Sequence, residues 1–163
     1  ELHEQHFQPF FTSSFWIMRL IRYPPAASAA RQSGMGCGVH TDYGILTLLN
    51  QDLNAQHARC LQAQMRDGSW VSVPPKEGAL AVNIGDMLAL WTGGRLRATP
   101  HRVSSPQSSD RVAVPFFFEP NYDALIAPLD LAHLRDDRGI AEPFEPIRYG
   151  KHLLGKVATN FDL

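Results

Sequence analysis

The stretch VHTDYGILTLL, residues 39–49, sets an imidazole, a hydroxyl and a carboxylate in front of an apolar run. Side chains two apart on an extended strand share a face, so His40 and Asp42 aim together. A third donor has to come from elsewhere, and His101, in TPHRVSS at the start of a later strand, is the candidate. Two imidazoles and one carboxylate on one side of an ion, with the other positions open, form the facial set that suits non-haem Fe(II) and leaves room for substrate and O2. Cysteine-rich sites favour zinc instead. The competing reading is that a His-x-Asp pair in a β protein is most often a surface or mutually satisfied pair. Seven histidines also make chance pairings easy.

Arg111 bears on that choice. A turn centred near Pro106 in HRVSSPQSSDR predicts His101 roughly opposite Arg111 on the neighbouring strand. An inward guanidinium there is costly to bury without an anion, and a carboxylate ligand offsets that cost. The alternative is an exposed strand charge paired with Asp110 or Glu119.

The elements that must hold these residues follow from the pattern. Leu2, His6, Phe7 and Phe10 read as the tail of a helix. FWIMRLIRY reads as a strand ending at Pro24-Pro25, followed by an Ala/Ser/Gly-rich loop over 26–38. Then come HTDYGILTLLNQ, CLQAQMRDGSWVSVP with a turn at Asp67-Gly68, GALAVNIG, MLALWTGG, PHRVSS, RVAVPFFFEP and ALIAPL, about eight short strands in all. Such spacing predicts a mainly β protein, a sandwich or a double-sheet jelly roll. Beyond Leu129 the pattern is polar and Pro-broken, and PIRYGKHLLGKVATNF predicts a closing helix. No repeat or boundary divides the chain, so residues 1–163 read as a single domain.

Composition narrows the function classes. Fifteen Lys and Arg balance sixteen Asp and Glu, which leaves no basic field for nucleic acid. The apolar stretches fall short of the roughly 20 residues that span a bilayer, so no membrane partner is expected. Two cysteines are too few for a stapled secreted scaffold, and a reduced, cytoplasmic setting is expected.

Four stretches, RLIRYPP, GVHTDYGILTLLNQD, CLQAQMRDGSWVSVPPKEGALAVNIGDMLALWTGGRLRATPHRV and DRVAVPFFFEPNYDALIAPL, cover most of the chain in order. On them it resembles the isopenicillin-N-synthase-like iron- and 2-oxoglutarate-dependent dioxygenases. The resemblance implies a double-stranded β-helix (jelly-roll) barrel with flanking N- and C-terminal helices. It implies Fe(II) held by His40, Asp42 and His101, and 2-oxoglutarate gripped at its distal carboxylate by Arg111 with help from Tyr23. With O2, such an enzyme oxidises a small organic substrate, usually by hydroxylation, and releases succinate and CO2. Alternation is compatible with that use of Tyr23, since Arg19, Ile21 and Tyr23 share a face. Read without the family, Tyr23 before two prolines is a packed edge-strand residue.

Three departures from the family pattern stand out. Ala113 replaces the Ser of Arg-x-Ser, and losing one hydrogen bond to a charged group weakens co-substrate binding by about 1.5–3 kcal/mol unless a water or another side chain replaces it. Ile21 stands where Asn is common. Members also carry a sizeable N-terminal region, and this chain reads as beginning inside its last helix. Ala113 keeps open an Fe(II) oxidase that needs no 2-oxoglutarate, and the short N-terminal side an inert jelly-roll binding remnant; the oligomeric state is left open.

Other residues read as structural. Asp86 after Gly85 fits turn chemistry, Trp91 packs or lines the cavity, and Cys37 is a small loop residue more than an oxidisable thiol. His3, His6, His57, His133 and His152 are expected in solvent. Phe116 and Phe118 fall on the face opposite Arg111, where core packing accounts for them.

Overall fold

In the computed structural model, residues 2–26, 34–130 and 145–160 are described. The strands are β1 (Ser14–Met18), β2 (Ile21–Tyr23), β3 (Met35–His40), β4 (Leu46–Gln51), β5 (Leu61–Gln64), β6 (Trp70–Ser72), β7 (Ala81–Ile84), β8 (His101–Ser104), β9 (Arg111–Asn121), β10 (Leu125–Ile126) and β11 (Ile147–Arg148). Helix α1 (Asp86–Trp91) lies between β7 and β8, and α2 (Tyr149–Asn160) follows β11. One sheet runs β1-β9-β4-β7, with β2 also on β9; the other runs β3-β8-β5-β6. All of these pairings are antiparallel. Together they make the double-stranded β-helix architecture that the sequence resemblance implies.

The 11-residue β9 organises the larger sheet. Arg111, Ala113, Pro115 and Phe117 line a cavity between the sheets, while Phe116 and Phe118 face outward to Trp16 and Phe11. Pro115 has no N–H to give a neighbour. The partner strand is interrupted at that level, between β1 and β2, and Arg19 N–H donates to the Pro115 carbonyl at 3.0 Å. Outside the sheet, Ile45, Met87, Leu90, Trp91, Ile126 and Tyr149 form the main buried cluster, with Phe7, Phe10 and Phe11 packed on it. Trp91 therefore packs there and is not among the cavity-lining residues.

Several elements differ from the sequence expectation. MLALWTGG is not a strand: it holds α1, because Met87, Leu90 and Trp91 fall at helical spacing onto the core. Gly93 and Gly94, at φ 59° and 78°, stop it. The N-terminal segment is a run of turns ending in a single 3-10 turn, Gln8–Phe10, where Pro9 lacks the N–H that a continuing α-helix needs. Residues 26–38 are not all loop, since β3 starts at Met35 and carries Cys37. The strand expected from His40 onward ends at His40 and resumes at Leu46. His101 and Arg111 do not form a hairpin: β8 and β9 belong to different sheets, and residues 105–110 cross between them. Among the described residues no helix is long and apolar enough to cross a membrane.

Candidate metal centre

The ligating atoms of His40, Asp42 and His101 all lie within 4.8 Å of one another. Strand pairing brings the two imidazoles together, because His40 is the register partner of His101, and their rings sit 4.2 Å apart. Both rings are anchored the same way. Nδ1 of His40 lies 2.8 Å from the Gly38 carbonyl and Nδ1 of His101 lies 3.0 Å from that of Thr99. Donation from each Nδ1–H orients the ring and, with the imidazoles neutral, leaves both Nε2 atoms as lone-pair donors. The Nε2 of His101 is 3.7 Å from Asp42 Oδ1.

Asp42 is buried just past the end of β3, in a loop held by backbone bonds. Asp86 N–H donates to the Asp42 carbonyl at 2.8 Å, Met87 N–H to Gly44 at 2.9 Å and Gly85 N–H to Ile45 at 2.9 Å. That contact requires two glycines: a Cβ on Gly85 would strike the Gly44 backbone, and one on Gly44 would strike the Glu119 carboxylate. Asn83 Nδ2 donates to Asp42 Oδ2 at 2.6 Å, so one carboxylate oxygen is pinned and the other faces His101. Asp86 does more than turn chemistry. It ties α1 to α2 through Lys156 at 2.9 Å and His152 at 3.1 Å, so His152 is a packed partner and not a solvated side chain.

Electrostatics separates the two imidazoles. Burial opposes charge on His40, but Cys37, the Gly38 carbonyl and Asp42 outweigh it and lift the pKa to about 9. At His101 burial wins, with His40 adding to it, and the pKa is lowered. Behind the loop, Glu119 is buried, and desolvation with a contribution from Asp42 raises its carboxyl to about 7 against an opposing pull from Tyr149. A raised carboxyl pKa stabilises the fold below the ordinary 4.5, and that contribution is lost as pH rises through about 7. Glu119→Gln should therefore remove up to about 3 kcal/mol of pH-dependent stability change across this window. Urea unfolding at a series of pH values reads it; a slope identical to the parent's removes Glu119 as the titrating group.

Arg111 projects into the same cavity, which measures about 300 Å³. It is 1% exposed, not a surface charge, and Asp110 instead pairs with Arg22. Of its two terminal nitrogens, Nη2 donates to Gln51 Oε1 at 2.9 Å and Nη1 is buried without a hydrogen-bond partner. Tyr23 is its register partner, with the ring centroid 5.2 Å from the guanidinium carbon. Such an orphaned, buried donor facing a cavity fits a carboxylate ligand. The two polar-to-apolar departures meet here, since Ile21 and Ala113 are cross-strand partners. With both positions apolar, the wall strands no polar group.

Sequence reasoning missed three residues. Gln51 was legible as the third inward position of β4, after Thr47 and Leu49. Asn83 had no signal apart from strand alternation. His57, expected in solvent, is 2% exposed, with Asp52 at 2.8 Å and the Ser109 hydroxyl at 3.1 Å. Asp52 also accepts from Val112 N–H at 2.7 Å, so this chain of bonds fixes the strand end that carries Arg111. His133 lies outside the described residues.

Comparison with known proteins gives a consistent pattern. The model of the 2OG-Fe(II) oxygenase superfamily matches residues 15–120. A homoarginine-6-hydroxylase of Glycine max is 44% identical over 151 residues, covering 90% of this chain and 44% of that protein. The 2-oxoglutarate-dependent dioxygenase citB of Monascus ruber is 34% identical over 148 residues, 90% of this chain and 43% of its own length. The rice dioxygenase for auxin oxidation superposes with a TM-score of 0.74 at 27% identity over 97% of this chain and 50% of that one. The chain thus spans less than half the length of these curated relatives.

Proposed function

Since the chain belongs to the 2OG-Fe(II) oxygenase superfamily, we propose that it is an Fe(II)- and 2-oxoglutarate-dependent oxygenase that oxidises, by hydroxylation, a small organic substrate. One observation carries this reading: two imidazoles and a carboxylate converge on the cavity into which a buried, unpartnered guanidinium nitrogen also points. His40, Asp42 and His101 would hold the iron, and Arg111 and Tyr23 the far carboxylate of 2-oxoglutarate. Ferrous iron bound there with 2-oxoglutarate supplies the O2-activating chemistry, with succinate and CO2 as co-products. Leu49, Leu61, Val103 and Phe117 keep water from the reacting groups. Residues 1–163 act in this reading as one catalytic unit, in the cytoplasm, on a small molecule and not on nucleic acid or membrane.

Ala113 supports a second reading, an Fe(II) oxidase without 2-oxoglutarate. The retained, orphaned Arg111 favours the first, because an oxidase gives that buried cation no anion. Succinate release separates them. Metal-loaded protein is expected to convert 2-oxoglutarate to succinate, with stimulation by one member of a panel of phenolic, terpenoid, purine and amino-acid compounds. Homoarginine belongs in that panel, given the Glycine max relative. Absence of 2-oxoglutarate consumption by protein that binds both metal and 2-oxoglutarate would count against the proposal.

Asn83 gives a sharper test of the metal centre. Groups that hydrogen-bond to metal ligands are worth about 10–100-fold in metal affinity. Asn83→Ala should weaken Co(II) binding by that factor, read by titration of the Co(II) absorption bands. An unchanged affinity would remove Asn83 from this role.

A further inference from the structure

The cavity wall carries a second cation that the proposed chemistry does not use. Arg19 sits in the break between β1 and β2, and its N–H bond to Pro115 keeps the backbone zipped to β9 there. Alternation points Arg19, Ile21 and Tyr23 the same way, and all three line the cavity, as do the register partners Ala113 and Arg111. Arg19 is exposed, on the solvent side of the wall, and no carboxylate among the described residues pairs with it. Its charge reaches inward. Burial and the Cys37 sulfur raise the Tyr23 hydroxyl, while Arg111 and Arg19 both pull it back.

Charge balance then bears on what enters. Among the described residues, Asp42 is the one carboxylate lining this cavity. With the site loaded as proposed, the ferrous charge and Arg111 are matched by Asp42 and the two carboxylates of 2-oxoglutarate. Arg19 remains in excess, next to Pro115 and Phe117 on an otherwise apolar wall. We infer that Arg19 is the anion subsite for the second substrate, so that the pocket takes a monoanionic, carboxylate-bearing molecule with an apolar body. A planar guanidinium fork matches a carboxylate through two parallel hydrogen bonds, which fixes orientation as well as adding affinity. This inference rests on the oxygenase reading, and the test separates the two.

The full chain is loaded with Co(II) and N-oxalylglycine, a non-reacting mimic of 2-oxoglutarate. Fluorinated arylacetic acids, each paired with its primary amide, are then screened by fluorine NMR. Acids should bind about tenfold or more tighter than their amides. Arg19→Met should erase that preference and Arg19→Lys keep part of it, with Co(II) and N-oxalylglycine affinities unchanged in both. Acids no better than amides, complete absence of acid binding included, overturn the inference. So does an Arg19→Met variant that keeps the preference, or one that loses N-oxalylglycine and thereby assigns Arg19 to the co-substrate. A parent protein that takes up neither Co(II) nor N-oxalylglycine sinks the oxygenase reading and this inference with it.

Discussion

His101→Ala should abolish both metal uptake and 2-oxoglutarate turnover. The side chain would supply one of the three proposed donors, and its Nε2 lies 3.7 Å from Asp42 Oδ1 in a cluster no other described carboxylate or histidine completes. Removing it leaves a two-donor site. Hydrogen-bonding partners of ligands alone are worth about 10–100-fold in affinity, so loss of a donor itself should exceed about 100-fold. The fold should persist, since His101 is only partly buried and is the first residue of a strand whose ladder bonds to β3 and β5 are backbone bonds. Calorimetric titration with Co(II), beside far-ultraviolet circular dichroism, measures both quantities. Full metal binding by a folded variant would remove His101 from the centre.

Arg111 should give an opposite pairing of effects. A bidentate contact to a charged carboxylate is worth at least about 3 kcal/mol, so Arg111→Met should cost more than about 100-fold in 2-oxoglutarate affinity. Stability should not fall with it. The guanidinium is buried with one nitrogen unpartnered, and exchanging a poorly compensated buried charge for an apolar side chain of similar volume often stabilises by about 1–4 kcal/mol. Gln51 loses its donor in that exchange, which costs about 1–3 kcal/mol and brings the single variant near neutral. Arg111→Met combined with Gln51→Leu should therefore unfold at higher urea than the parent while failing to bind 2-oxoglutarate. A large loss of stability in the double variant would mean that Arg111 is already well compensated.

What the sequence disclosed and what it hid divide along physical lines. The mainly β class, sandwich or jelly roll, was legible because period-two alternation and turn residues are local signals, with the Asp67-Gly68 turn and the β9 face pattern as examples, while the choice of the jelly roll came from the family resemblance. The α1 segment reads as a strand because six residues carry too little periodicity to separate helix from strand, and the burial of Met87, Leu90 and Trp91 decides it. The meeting of His40 with His101 is anticipated in the sequence, but for a partly mistaken geometric reason. Asp42 reaches the site from a loop and not by strand alternation, and Arg111 comes from the opposite sheet. Long-range register leaves no trace in a single sequence. His57 shows the same limit: its partners lie 5 and 52 positions away, and only the fold turns a polar side chain there into a buried one.

The imidazole pair stands on one sheet and Arg111 on the other, with a cavity between. A ligand reaching from one to the other acts as a strut across the sandwich. Its arrival should slow the breathing of the two layers against each other, so amide hydrogens of β8 and β9 should gain deuterium-exchange protection together. A molecule seated on only one layer would quieten that layer alone.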